Sequence, residues 1–344
     1  MALWGVRAGR DGEQQDFAID HSVVVIGWSE LPDLSGIASR EALKELMSSC
    51  YPSEKLGTIN NWTGQVWALL SRIAVGDLVA LPLKRRSAIA LGRVTGRYTY
   101  LSDAPPGAQH ARPVKWIRTD IPRTLFDQDI LYSFGSAMTV FEVSRNDAES
   151  RIKALIQSGF ASTNLKSKED EATPQTESLE ENADVERISA DRIARFITDE
   201  FREHKFAALI AGILSAQGYK VYPSSPGADG GIDILAGKGP LGFDPPRLAV
   251  QVKSANSPLD AKPLRELLGV MPTFGADQGL LVSWGGFKET VRREARQKWF
   301  QIRLWDADDV VAALQDGYLN LPEALQAELP FKRIWTLVQD EPPG

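Results

Sequence analysis

Gly227-Ala-Asp-Gly-Gly-Ile-Asp233, with Gln251-Val-Lys253 beginning eighteen residues beyond its last aspartate, is the stretch that decides how this chain folds and acts. Gly231 to Ala236 is a short apolar run carrying one acid, Asp233, and Arg247 to Ser254 is a second such run. Both read as neighbouring β-strands. The period of two in the second puts Gln251 and Lys253 on one face, with Val250 and Val252 on the other. A hard cation such as Mg²⁺ takes oxygen ligands, which Asp233 and the side-chain carbonyl of Gln251 can supply. A lysine beside that ion can orient a water molecule, or stabilise the pentavalent phosphate formed when the water attacks. This is the chemistry of phosphodiester hydrolysis.

With these residues the chain resembles the PD-(D/E)XK nuclease core in its Asp…Gln-X-Lys variant, and within it the catalytic domain of Mrr-type restriction endonucleases. The flanks agree: Gly218-Tyr219 closes a helix, Leu241-Gly-Phe-Asp244 precedes the Gln-Val-Lys strand, and Gly279-Leu-Leu-Val-Ser283 with Gly286-Phe287 follows it. The resemblance covers residues 187 to 316 and implies a restriction-endonuclease-like α/β/α sandwich. It implies that Asp233 and Gln251 hold Mg²⁺, with Mn²⁺ as a substitute, that the Val252 backbone carbonyl adds a ligand, and that Lys253 positions the attacking water. One departure stands out. Such domains carry a glutamate beside an aromatic residue on the first core helix, and here Phe206 is followed by Ala207. That leaves Asp233 as the core acid. Asp229 either assists it or only shapes the glycine-rich turn. Glutamine in place of glutamate at 251 lowers the expected metal affinity, and DNA phosphates can complete the coordination.

A chain of 344 residues with a 43% hydrophobic share has room for two ordinary domains with real cores. The single cysteine, Cys50, excludes an internal disulfide, and the three histidines, His21, His110 and His204, are too scattered for a zinc site. No secretory leader or membrane span is evident in the sequence, so the expectation is a cytoplasmic protein without a membrane partner. The net charge of −6 is unevenly spread, because residues 165 to 187 alone carry −5 and the remainder only −1. DNA affinity would therefore rest on local basic patches.

The segment 161–187 is acidic, Ser/Thr/Glu/Asn-rich and poor in large apolar residues, and is expected to be a flexible linker between residues 1–160 and 188–338. Beyond it, apolar residues at helical spacing predict helices around Ile193 to Phe201 and Phe206 to Leu214, with Gly218 as terminator. Strands are expected at Tyr219 to Tyr222, Gln278 to Trp284 and Ile302 to Trp305. Helices are expected at Pro263 to Val270, Lys288 to Trp299 and Asp308 to Leu314, with a final helix and strand within Leu321 to Val338. This order makes a central sheet flanked by helices.

The N-terminal part reads as strands at Ser22 to Trp28, Leu78 to Leu83, Ala88 to Tyr98 and Val114 to Arg118, with helices near Arg40 to Ser49 and Thr63 to Arg72. Ile26-Gly-Trp28, Asn61-Trp62, Gly76-Asp-Leu-Val79 and Gly92-Arg-Val-Thr-Gly-Arg-Tyr98 resemble the PUA-like superfamily, including EVE and YTH-type modified-base readers. The resemblance implies a PUA-like β-barrel. A flipped base needs flat side chains to stack on and polar groups to read its edge. Trp28, Trp62, Tyr98 and Trp116 are candidate walls and Asn61 a candidate reader, each weighed against simple core packing. Lys84, Arg85, Arg86, Arg93 and Arg97, with Arg112, Lys115 and Arg118, are candidate phosphate contacts, the first three equally readable as an exposed hairpin tip.

The expectation is an α/β chain in which a PUA-like domain recognises modified double-stranded DNA and an Mrr-like domain cuts it, as in type IV restriction. Cutting both strands needs two active sites, hence a homodimer or higher homo-oligomer. Open alternatives are a sequence- or structure-specific nuclease of defence or repair, an RNA-directed protein, and a catalytically degenerate reader.

Overall fold

Leu78-Val-Ala-Leu-Pro-Leu83 is apolar on both faces, and accordingly becomes an interior strand of the first of two sheets. The computed structural model describes residues 1–136, 138–160, 184–224 and 231–334. It divides into two compact units, Met1–Ile188 and Ser189–Leu337. The first contains β1 (Leu3–Val6), α1 (Gln15–Asp20), β2 (Val23–Ile26), α2 (Arg40–Cys50), α3 (Leu56–Trp67), β3 (Leu78–Leu83), β4 (Ala88–Val94), β5 (Thr99–Tyr100), β6 (His110–Pro122), α4 (Gln128–Phe134), β7 (Val140–Glu142) and α5 (Ala148–Gln157). Its seven strands form a curled half-barrel in the order β2-β6-β4-β3-β1-β7, with β5 on β6. Only β1 and β3 run parallel among these pairs.

Pro82 is tolerated inside β3 for a readable reason. Leu78 donates its N–H to Ala2 on the β1 side, so the period of two aims the nitrogen of residue 82 the same way, and the β1 pairing has ended by Ala80. The concave face gathers Trp4, Val24, Ile26, Trp28, Trp62, Val66, Val79 and Val114 with α2 and α3. Ser39 caps α2 by accepting the Ala42 N–H.

In the second unit α6 (Val185–Glu200), whose residues from Ser189 onward belong to it, and α7 (His204–Ala216) lead into β8 (Lys220–Pro223), β9 (Ile234–Lys238) and β10 (Asp244–Lys253). There follow α8 (Ala261–Val270), β11 (Gln278–Ser283), α9 (Glu289–Arg296), β12 (Ile302–Trp305), α10 (Ala307–Gly317) and α11 (Glu323–Glu328). The sheet order is β12-β11-β10-β9-β8. β10 runs parallel to β11 and antiparallel to β9, and β11 runs parallel to β12. Val250 and Val252 face a core shared with α7 and α10, while Ala249 faces one shared with α8 and α9. This is the expected sheet between two helical layers. α7 is apolar nearly all round because α11 covers its far side: a Cβ on Gly212 would meet Leu325 Cδ2 at 2.4 Å. Gly218, at φ +81°, ends α7 in the left-handed conformation.

Several boundaries move. β9 begins at Ile234, not Gly231, although the Asp233 N–H still donates to the Val250 carbonyl at 2.9 Å. The strand expected at Val114 to Arg118 is the middle of the much longer β6. α6 starts at Val185, inside the segment expected to be linker. Asp184 anchors that start by accepting the Arg187 N–H and pairing with Lys84 at 2.7 Å. Residues 161–183, Asp229 and the tail beyond 334 lie outside the described residues.

Candidate active site

The C-terminal end of β10 brings the three sequence-predicted residues of the second unit to one place. Ile234 lies opposite Val250 in the antiparallel β9–β10 pair, so Asp233 comes next to Gln251 along the same ladder. The Asp233 carboxylate reaches over to β10, where Oδ2 accepts the Val252 N–H at 2.7 Å. Its Oδ1 takes no hydrogen bond among the described residues. Gln251 is 4% exposed, yet its Oε1 is buried without a hydrogen-bond partner among the described residues. A buried amide oxygen left unpaired costs about 1–3 kcal/mol, so an orphan here calls for an occupant. Gly231 makes the room: a Cβ on it would stand 3.0 Å from Gln251 Nε2, and its φ of +87° suits glycine. Lys253 is half-buried and enters no ion pair among the described residues. Two free oxygens of this kind suit a hard divalent cation.

Neighbouring residues take structural roles. Ser283 is fully buried and donates to the Gly286 carbonyl at 2.8 Å. Trp284 donates from Nε1 to Thr198 Oγ1 at 2.9 Å and meets the Phe206 ring edge to face. Ala207 is half-buried on α7 and offers no oxygen where the resemblance places a glutamate. His204 is exposed in the first turn of α7. Arg265 is bidentate to Glu294, with both bonds 2.8 Å long.

In the first unit the candidate base walls turn mostly inward. Trp28 and Trp62 are 1% and 4% exposed and pack edge to face, 6.2 Å between centroids, so as folded they are core and not open stacking surfaces. Trp116 is half-buried against Gly92 and donates to the Ala18 carbonyl at 3.3 Å. Asn61 is exposed on α3 and accepts from Gln65 Nε2. Tyr98 is half-buried, its hydroxyl 2.8 Å from His110 Nδ1; burial pushes its pKa up to about 12, which keeps it protonated.

The basic triplet does lie at the β3–β4 turn, but it is largely committed. Lys84 pairs with Asp184 at 2.7 Å, while Arg86 and Arg85 reach Asp16 at 3.2 and 3.9 Å. Arg93 donates to the Gly76 carbonyl at 2.7 Å, and Arg118 to Asp120 at 2.7 Å. Arg97 is exposed and free of ion pairs among the described residues. The sequence reading overlooked His110. Its signal was the alternation His110, Arg112, Val114, which puts two polar residues on an otherwise apolar face of β6.

Residues 198–314 match the Mrr catalytic family model, described as a restriction endonuclease. The second unit thus carries a restriction endonuclease domain. Residues 4–144 match a family described as a domain of unknown function, DUF8426. Among solved structures, the chain is similar to the DNA modification-dependent restriction endonuclease AspBHI, with 16% identity, a TM-score of 0.33, and coverage of 78% of this chain and 72% of that one. It is also similar to the MspJI restriction endonuclease in complex with a 27-mer oligonucleotide, with 15% identity, a TM-score of 0.30, and coverage of 95% and 79%. A search of curated proteins gave no match. Among the described residues no helix is long and apolar enough to cross a membrane.

The endonuclease domain holds one further ionisable cluster, at the start of α10. Asp306 accepts the Asp308 and Asp309 N–H groups and the Arg292 guanidinium at 2.7 Å, and Asp309 Oδ2 accepts the Asp306 N–H. Burial, then the Asp306 carboxylate, pushes the Asp309 pKa up to about 7. The folded domain therefore holds a proton that the unfolded chain has released above its ordinary value of 3.8. Stability from this group is complete below that value and is lost as pH rises towards 7. Asp309→Asn keeps an oxygen for the Asp306 N–H and never ionises. It is expected to raise the melting temperature at pH 8, by on the order of a few kcal/mol of stability, and to change little at pH 4. Thermal melts of both proteins across that range check it.

Proposed function

We propose that this chain is a metal-dependent DNA endonuclease of the modification-dependent kind, in which the first unit reads a flipped modified base and the endonuclease domain cuts nearby. The observation that carries the catalytic half is the juxtaposition at the end of β10 of a carboxylate oxygen, a buried amide oxygen and a lysine, each without a partner among the described residues. Asp233 and Gln251, with the Val252 carbonyl, would hold Mg²⁺ or Mn²⁺. Bound there, such an ion would supply positive charge to offset the negative charge building on the attacked phosphate. Asp233 is held in place by the Val252 N–H, and Lys253 donates hydrogen bonds to the attacking water or to a non-bridging phosphate oxygen. Cutting both strands requires two such sites, so a homodimer or larger assembly forms on double-stranded DNA.

A single plasmid, prepared unmodified, methylated at adenine, methylated at cytosine and carrying hydroxymethylcytosine, tests this with Mg²⁺ present. Cutting confined to a modified form is expected. Equal cutting of all four forms would remove the reader and leave a sequence- or structure-directed nuclease. Ala207 favours one second reading, a degenerate nuclease that only binds; absence of cutting in Mg²⁺ and in Mn²⁺, with DNA binding intact, would establish it.

A further inference from the structure

Buried nitrogen donors without acceptors mark a second site, on the concave face of the first unit. Trp28 Nε1, His110 Nε2, and Nε and Nη1 of Arg112 are all buried, and none closes a hydrogen bond among the described residues. Their residues are 1%, 0% and 4% exposed. The register explains the grouping. Ile26 lies opposite His110 and Val24 opposite Arg112 in the antiparallel β2–β6 pair, so both polar side chains share the face of Val24, Ile26 and Val114. Trp28 follows two residues after Ile26, at a φ of +49° that a tryptophan seldom adopts.

The hydrogen-bond network fixes what these groups offer. The Leu34 N–H donates to the Tyr98 hydroxyl at 3.2 Å, and that hydroxyl has His110 Nδ1 at 2.8 Å to receive its own hydrogen. With Nδ1 accepting that hydrogen, the ring proton is assigned to Nε2 of His110, which faces the Leu31 and Trp28 carbonyls as a donor. The Leu31 and Trp28 carbonyls approach the ring, yet neither closes a hydrogen bond to Nε2. Burial lowers the His110 pKa, so the ring is neutral at neutral pH. Arg112 also forms no ion pair among the described residues. Asp77 is the acid that acts on it, and that carboxylate already accepts the Ala2 and Ala74 N–H groups and Trp4 Nε1, at 2.8, 2.9 and 3.1 Å. Arg97 adds a second positive charge to its surroundings.

Buried donors whose hydrogen bonds are not closed among the described residues, set beside aromatic rings and a guanidinium without an ion pair there, select their ligand by chemistry. Metal ions and cations are excluded. The occupant must be flat, must present oxygen or nitrogen acceptors, and gains if it carries negative charge. We propose that Trp28, His110 and Arg112 form a nucleotide pocket, taking the acceptor edge of an extrahelical base or its own phosphate. An edge made of acceptors, such as O2 and N3 of a cytosine or O6 and N7 of a guanine, suits it; the amino-bearing edge of adenine does not. This rests on the reading of the first unit as the reader and deepens it by naming the residues.

The test is calorimetric titration of the full chain with deoxycytidine monophosphate, 5-methyldeoxycytidine monophosphate, deoxyadenosine monophosphate, the free nucleosides and inorganic phosphate. A cytidine nucleotide is expected to bind better than the adenosine one. Phosphate alone equalling the nucleotide would assign Arg112 to the phosphate, and a nucleoside equalling it would assign the pocket to the base. Arg112→Met should weaken binding at least about tenfold, and Trp28→Phe, which keeps a ring and drops one N–H, by about threefold to tenfold. Because it removes an unpaired buried charge, Arg112→Met should also melt no lower than the wild type without ligand. A lower melting point, or nucleotide binding unchanged in both variants, would overturn the pocket. Its failure is separable from that of the reader. Modification-restricted cutting that survives Arg112→Met would sink the pocket alone. Nucleotide binding that depends on Arg112, in an enzyme that cuts all plasmid forms equally, would sink the reader alone.

Discussion

Asp233→Asn is expected to lower DNA cleavage by about a thousandfold or more while leaving DNA binding within about twofold, since loss of several kcal/mol of charge stabilisation at the phosphate translates into that factor. The substitution isolates charge from shape. Asparagine has the same volume, and its amide oxygen can still accept the Val252 N–H that Asp233 Oδ2 now accepts at 2.7 Å. The β9–β10 ladder also survives, because its Asp233 contribution is the backbone bond to the Val250 carbonyl. What disappears is the anionic Oδ1, which nothing else in the described structure uses. Plasmid nicking and linearisation, measured beside gel-shift binding in Ca²⁺, separate the two effects. Cleavage within tenfold of the wild type would remove Asp233 from the active site. Gln251→Glu is the complementary change, placing a charge where Oε1 is now an orphan.

Much of the second unit was legible because its signals are local. Ile302 to Trp305 matches β12 to the residue, Gly218 ends α7, and the alternation in Gln251-Val-Lys253 is the alternation of β10 between its two cores. β9 was misjudged at its start because Gly231 and Ile232 are apolar without belonging to the ladder, and periodicity cannot see where pairing begins. The first unit was less legible for a different reason. β1 is four residues long and earns its place by pairing with Leu78 to Ala80, more than seventy residues away, so nothing in Leu3-Trp-Gly-Val6 itself announces an interior strand. The same holds for charge. Lys84 looks like a free phosphate contact until Asp184, a hundred residues on, is seen beside it. Chemistry that depends on which groups lack partners, as with Gln251 Oε1 and the Trp28, His110 and Arg112 donors, becomes visible only when every partner has been placed.

Lys253→Met is expected to cost about a hundredfold to ten-thousandfold in cleavage, the range for a positioned side chain acting on a proton or charge in the transition state. The structure argues that this lysine is kept for chemistry. A lysine on β10 flanked by β9 and β11 is interior to the sheet, so it cannot serve as the charged guard of an exposed edge. It is half-buried, and no carboxylate is paired with it among the described residues. Methionine matches the stem and gives up the ammonium, so the fold should hold or gain slightly, because the adjoining backbone bond from the Trp284 N–H to the Lys253 carbonyl is untouched. Lys253→Arg keeps the charge but moves it further from the strand and spreads it over a planar fork, and should recover only a small part of the rate. A purely structural lysine would behave in the opposite way, with arginine restoring activity and methionine lowering the melting temperature. Single-turnover cleavage and thermal melts on the two variants therefore decide the role: full activity in Lys253→Met would exclude it from the reaction.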